Sequence, residues 1–253
     1  MEIFLNQFFN KYVIKMNHKK SLITDIVFLI LTVLNIILFH NNNALSTIIM
    51  LTLVGIAFRY FHTKEDIVFY FMGAFLGPFL EILCIKYGVW KYSNPLFLGI
   101  PLWLPFLWGF AFLIARRMRD LYFKMEHLKI HYNLHHKISN RRNLILFDFT
   151  IYYIMIILSI LLWENNPALS FSLGLILLVL LTNFHYKEDL FFIFLFALLG
   201  PVVEVICVYF GAWSYGNPTI LDIPIWLPLG YAAFAVIGRR ASALAVNYLY
   251  LKN

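Results

Sequence analysis

The chain has 253 residues, of which 62% are hydrophobic and 13% charged, and its mean hydropathy is +0.77. That is more apolar surface than a water-soluble domain can bury, so the composition excludes a soluble globular enzyme and assigns the chain to the membrane. The formal net charge of +7 is read as a topology signal rather than a nucleic-acid footprint, and the two cysteines lie in apolar runs with neither a disulfide framework nor a zinc pattern.

Residues 1–20 place Phe4, Phe8 and Tyr12 opposite Lys11 and Lys15. This predicts a short amphipathic helix lying on the inner membrane surface. Asn6, Asn10 and Lys11 interrupt any signal-peptide core. Apolar runs close to the ~20 residues needed to cross a bilayer follow at 22–39, 44–61, 67–87, 96–115, 144–163, 167–184, 190–210 and 219–238. They divide the chain into a four-helix membrane repeat over 21–119, a basic linker helix over 120–142, a second four-helix repeat over 143–242 and a tail over 243–253. With the N-terminus inside, only Lys86 and Lys91 of the 20 Lys and Arg fall outside. The positive-inside rule therefore predicts a cell-membrane protein with both termini cytoplasmic and with anionic lipid headgroups as partners.

The strongest pattern is a duplication. His62 to Arg119 returns without a gap at His185 to Ser242, matching Gly77-Pro78 with Gly200-Pro201, Glu81 with Glu204, Cys84 with Cys207, Gly88 with Gly211 and the Arg pair 116/117 with 239/240. Each repeat holds an even number of spans, so the two run in the same direction. The expected fold is an all-α integral membrane protein of eight transmembrane helices, built as two parallel four-helix repeats about a pseudo-twofold axis along the membrane normal.

Several polar positions have simple readings. Asp25 and Asp148 open the first and fifth spans, where an acid complements the helix dipole. Glu65-Asp66 and Glu188-Asp189 read as first-turn acids with a capping role, against the alternative of a divalent-metal or diphosphate site. His127, His131 and His135 share a face of the linker, but its Leu and Met stripe favours a basic surface helix over a metal site. No metal or cofactor is expected. With no histidine near mid-span, haem ligation is disfavoured, and the lack of a mid-span lysine disfavours a retinal Schiff base.

Glu81 and Glu204 carry the functional expectation, because an ionisable residue inside a span is costly and by default functional. Glu81 lies about 22 Å along its helix from Asp66. Gly77, Cys84 and Gly88 share its face and are expected to leave room beside the carboxyl, while Pro78 is expected to kink the preceding turn and free a carbonyl. A carboxyl kept neutral in low dielectric would be a proton donor. After each Glu comes Gly-x-Trp-x-Tyr-x-Asn-Pro, then Ile-Pro-x-Trp-Leu-Pro, which supplies Trp90, Tyr92, Asn94 and Trp103 in the first repeat and Trp213, Tyr215, Asn217 and Trp226 in the second. Pro101 and Pro105 are expected to distort the start of the fourth span, as irregular backbone does where it lines a cavity.

Glu81-x6-Gly88, Tyr92, Gly99-Ile100-Pro101 and Pro105-x-x-Trp108 together resemble the integral membrane carotenoid-biosynthesis proteins that hydrate the terminal double bond of acyclic carotenoids, and more distantly the small membrane lycopene cyclases. In the second repeat Asp222 stands for Gly99 and Tyr231 for Trp108. The resemblance implies an enzyme that protonates a lipid-borne polyisoprenoid, with Glu81 and Glu204 as catalytic acids. The Trp, Tyr and Asn residues, Trp108 among them, would then bind the substrate and shelter a cation. Two other classes stay open: a lipid or small-molecule transporter, and a non-catalytic scaffold whose Glu and aromatic residues only pack helices.

Overall fold

A computed structural model describes residues 18–60, 63–125, 141–183 and 187–250. The surface helix expected at 1–20 lies almost wholly outside these residues, as do His62, His185 and the linker histidines. Among the described residues there are eight α-helices: α1 (His18–Phe39), α2 (Asn43–Tyr60), α3 (Lys64–Lys86), α4 (Leu104–Met125), α5 (Arg141–Leu162), α6 (Asn166–Thr182), α7 (Lys187–Tyr209) and α8 (Leu227–Tyr250). Four contain segments long and apolar enough to cross a membrane, namely Glu65–Lys86, Asn143–Leu162, Lys187–Tyr209 and Leu227–Val246, and three shorter apolar helices accompany them. Large apolar side chains such as Phe71, Phe75, Leu161, Phe171, Phe194 and Leu198 stand exposed on the outside of the bundle. Such a surface is costly in water and suits hydrocarbon. The protein is a multi-pass membrane protein.

Two features were not expected from the sequence. Residues Trp90–Tyr92 form a short strand β1, and Trp213–Tyr215 form β2. They pair antiparallel in the register Trp90 with Tyr215, Lys91 with Ser214 and Tyr92 with Trp213, so the central pair joins the same position of the two repeats. The fourth and eighth helices also start later than hydropathy placed them, at Leu104 and Leu227. Pro105 and Pro228 therefore fall in a first turn, where the missing N–H has no intrahelical role, and they begin these helices instead of distorting them.

The boundaries of α3 have local reasons, and the C-terminal one recurs in α7. Thr63 caps α3 by accepting from the Asp66 N–H at 3.1 Å, and its own N–H donates to Asp66 Oδ2 at 2.8 Å, a reciprocal capping box. At the far end Gly88 (φ +79°) and Gly211 (φ +78°) take the left-handed conformation. The Val89 N–H reaches the Cys84 carbonyl and the Ala212 N–H the Cys207 carbonyl. Each is a Schellman stop that turns the chain back over the last helical turn.

Ion pairs lock the opposite ends of the helices. In the first repeat Arg116 binds Asp66 and Glu65, and Arg117 binds Asp25 at 2.7 Å. In the second, Arg239 binds Asp189 at 2.6 Å, while Arg240 binds Asp189 at 2.9 Å and Asp148 at 3.2 Å. Asp25 and Asp148 thus serve as ion-pair partners for the Arg pairs, a role beyond the dipole complement that their position alone indicated.

Candidate functional site

The glycine stops bring each aromatic strand back over the glutamate of the preceding helix. Trp90 Nε1 donates to Glu81 Oε2 at 3.2 Å, and the Tyr92 hydroxyl donates to the same oxygen at 2.5 Å. Trp108, one turn into α4, donates from Nε1 to Glu81 Oε1 at 2.6 Å. In the second repeat, Trp213 Nε1 and the Tyr215 hydroxyl donate to Glu204 Oε2 at 2.5 and 2.8 Å, and the Tyr231 hydroxyl donates to Oε1. Each carboxyl is buried and accepts three hydrogen bonds, two from the strand that follows its own helix and one from the next helix. Burial and the facing carboxyl raise the Tyr92 and Tyr215 pKa well above the ordinary phenol range, which keeps both hydroxyls as donors.

Gly77 and Gly200 explain how the third donor arrives. A Cβ on Gly77 would lie 2.2 Å from the Trp108 ring, and one on Gly200 would lie 2.6 Å from the Tyr231 ring. The room that these glycines were expected to leave beside the carboxyl is filled by the ring that binds the glutamate one turn further along. Within the turn that contains Pro78, the Tyr152 hydroxyl donates to the Leu76 carbonyl at 2.6 Å.

The two glutamates line one cavity, together with Trp90, Tyr92, Trp108, Trp213, Tyr215, Trp226 and Tyr231, and with Met155 and Ser159 from α5. It offers about 70 Å³ to water-sized occupants, several times the ~10–15 Å³ that one water needs. The Trp108 and Tyr231 rings stack across it with centroids 5.9 Å apart. Trp103 packs edge-on to Tyr92 at 5.8 Å, behind this wall. The indole N–H groups of Trp103 and Trp226 are buried and have no hydrogen-bond partner among the described residues, and Trp226 lines the cavity itself.

The other sequence candidates fall elsewhere. Asn94 donates to the Asn41 carbonyl at 2.8 Å, and Asn217 donates to the Glu164 carbonyl at 2.8 Å. These side chains fasten the aromatic hairpins to the helix turns and do not line the cavity. Asp222, read as a departure from Gly99, occupies the same left-handed turn position, with φ +60° against +84°. Aspartate tolerates that conformation better than most residues, so this exchange is a matter of turn geometry. Tyr231 is a partner of Glu204 that the sequence did not single out as a site residue, and its alignment with Trp108 was the available signal. Among the described residues no group of His, Cys, Asp and Glu could hold a metal ion.

No family model matches the sequence, and no curated protein matches it. The fold does match crystal structures of MvINS, a mycobacterial Insig homologue from Mycobacterium vanbaalenii, one of them a cross-linked trimer. The TM-score is 0.57 at 17% identity, over 73% of this chain and 95% of that one. This overturns the resemblance to carotenoid hydratases and lycopene cyclases, which rested on residues 81–108 alone. Within that stretch the spacing of Glu, Trp and Tyr is that of a carboxylate and its donors. The chain is a multi-pass membrane protein with an Insig-like fold.

Proposed function

We propose that this protein binds an amphipathic lipid in the membrane, with the lipid's polar end in the cavity between the two glutamate clusters. In this reading the chain crosses the membrane eight times with both termini cytoplasmic. Its two parallel four-helix repeats are related by a pseudo-twofold axis that passes between Lys91 and Ser214, a relation supported by the register of the strand pair.

The observation that carries the proposal is the division of hydrogen-bonding capacity around the cavity. Glu81 and Glu204 accept three internal donors each, so they act as hubs that hold the aromatic walls in place. A general acid needs a proton aimed at its substrate, whereas here N–H and O–H groups are aimed at the carboxyl oxygens. The proton-donor role expected of the two glutamates is therefore not part of the proposal. Among the described residues, the donor left without a partner on the cavity wall is the Trp226 indole N–H, suited to a hydroxyl, ester or carbonyl oxygen. The remaining wall is aromatic and apolar, as in most small-molecule sites.

The test is extraction of the lipid that copurifies with the full chain in mild detergent. Wild-type protein is expected to retain one amphiphile per chain against a bulk-lipid background. Trp226→Phe, which keeps the ring but removes the N–H, should lose roughly 10-fold in retention, the ~1–1.5 kcal/mol of one net hydrogen bond. Equal retention by the folded variant would refute the polar-end assignment.

A further inference from the structure

The repeats are not equivalent on their outer flanks. Beside the central cavity lies a second space of about 100 Å³, between α1, α4, α7 and α8, lined by apolar residues and sharing Trp108 and Tyr231 with the first. Its walls include Leu29 and Val33 from α1, Ala111 from α4 and Leu199 from α7, all half-buried. The duplication supplies an internal control. At the repeat offset these four positions become Tyr152, Ile156, Phe234 and Leu76, and there all four are buried.

On that second flank the protein fills the space with its own rings. Tyr152 stands where the first repeat has Leu29, and Phe234 where it has Ala111. The two rings lie 6.3 Å apart, Phe79 lies 6.3 Å from Tyr152 on its other side, and the Tyr152 hydroxyl is anchored on the Leu76 carbonyl. Protein interiors rarely keep voids of this size, and an apolar one does not hold water. The open flank lacks a Tyr and a Phe that the closed flank possesses, and it faces the apolar exterior of the bundle.

We infer that the α1/α4/α7 groove is a one-sided binding site for the hydrocarbon chain of a membrane lipid, and that Tyr152 and Phe234 seal the equivalent groove of the other repeat. The occupant is apolar because the protein's own filling of the twin groove is apolar apart from one hydroxyl. It comes from the bilayer because the groove lies on the hydrocarbon-facing flank. The inference rests on the proposal that the central cavity takes the polar end of the same molecule, with which the groove shares the Trp108–Tyr231 wall.

The experiment places the full chain in nanodiscs of phosphatidylcholine carrying a diazirine at mid-chain and maps photolabelled residues by mass spectrometry. Labelling at exposed Leu198 serves as the standard for ordinary bilayer contact. Wild-type protein is expected to label strongly around Leu29 and Leu199 and weakly around Leu76. The double variant Leu29→Tyr/Ala111→Phe, which installs the residues the other repeat already accommodates, should cut the Leu199 signal at least 5-fold relative to Leu198. Tyr152→Leu/Phe234→Ala should create a new signal at Leu76. Unchanged Leu199 labelling in the first variant would overturn the inference, as would wild-type labelling around Leu29 and Leu199 no stronger than around Leu76. Trp226→Phe separates the two readings, because loss of the polar contact leaves groove labelling in place if only the polar-end assignment fails.

Discussion

Replacing each glutamate by glutamine should expose a difference between the repeats that follows from one side-chain exchange. Glu81 Oε1 is held by an indole N–H, that of Trp108, whereas Glu204 Oε1 is held by the hydroxyl of Tyr231. A glutamine oxygen can keep the two donors now on Oε2, which leaves its NH2 facing the third. An indole N–H only donates, so in Glu81→Gln two donors oppose each other in a buried site. A phenol can also accept, so in Glu204→Gln the Tyr231 hydroxyl turns and receives the amide. Both variants lose the charge assistance of their bonds. Only the first also leaves a buried donor unmet, which costs a further ~1–3 kcal/mol. Unfolding by SDS titration in detergent micelles should therefore find Glu81→Gln less stable than Glu204→Gln by about that amount, and Trp108→Tyr should recover most of the loss in the Glu81→Gln background. Equal stabilities, or a failure of Trp108→Tyr to rescue, would refute the hub role of the carboxyls.

Further expectations concern the frame around the site. Lys91→Cys, at an exposed position between two buried glutamate ligands, should react with impermeant maleimide from outside intact cells, and labelling only from the cytoplasmic side would invert the topology. Lys91→Cys with Ser214→Cys should form an intramolecular disulfide on mild oxidation, because the two residues are directly paired; reduced thiols after oxidation would contradict the strand register. Asp189→Leu leaves Arg239 and Arg240 without their shared buried carboxylate and should cost ~3–5 kcal/mol, read in the same SDS titration. A loss below 1 kcal/mol would show that the cluster is dispensable.

Much of this site was legible as a list of residues and little of it as a set of roles. The duplication singled out Glu81, Trp90, Tyr92 and Trp103 because shared Trp, Tyr and Glu cannot be explained as apolar filler. It could not show that the aromatic polar groups point at the carboxyl, since that geometry depends on the Gly88 reversal and on Trp108 arriving from another helix. Tyr231 was passed over because an indole and a phenol look like a substitution, although both deliver a donor to the same oxygen. Asn94 and Asn217 sit beside aromatic residues in sequence, yet their side chains turn toward the α1–α2 and α5–α6 connections. The Arg pairs were legible as charge but not as partners of Asp25 and Asp148, which lie 92 residues away in sequence. A three-residue strand pair has no periodicity long enough to read.

The proposed occupant of the cavity between Glu81 and Glu204 is the polar end of an amphipathic lipid. The most direct measurement is an experimental density map of the full chain purified in mild detergent without added ligand. Density is expected in the cavity, with an oxygen about 2.9 Å from Trp226 Nε1, continuous with hydrocarbon density toward Leu29 and Leu199. A well-resolved map with only ordered water against Trp226, and protein or nothing in the groove, would contradict it.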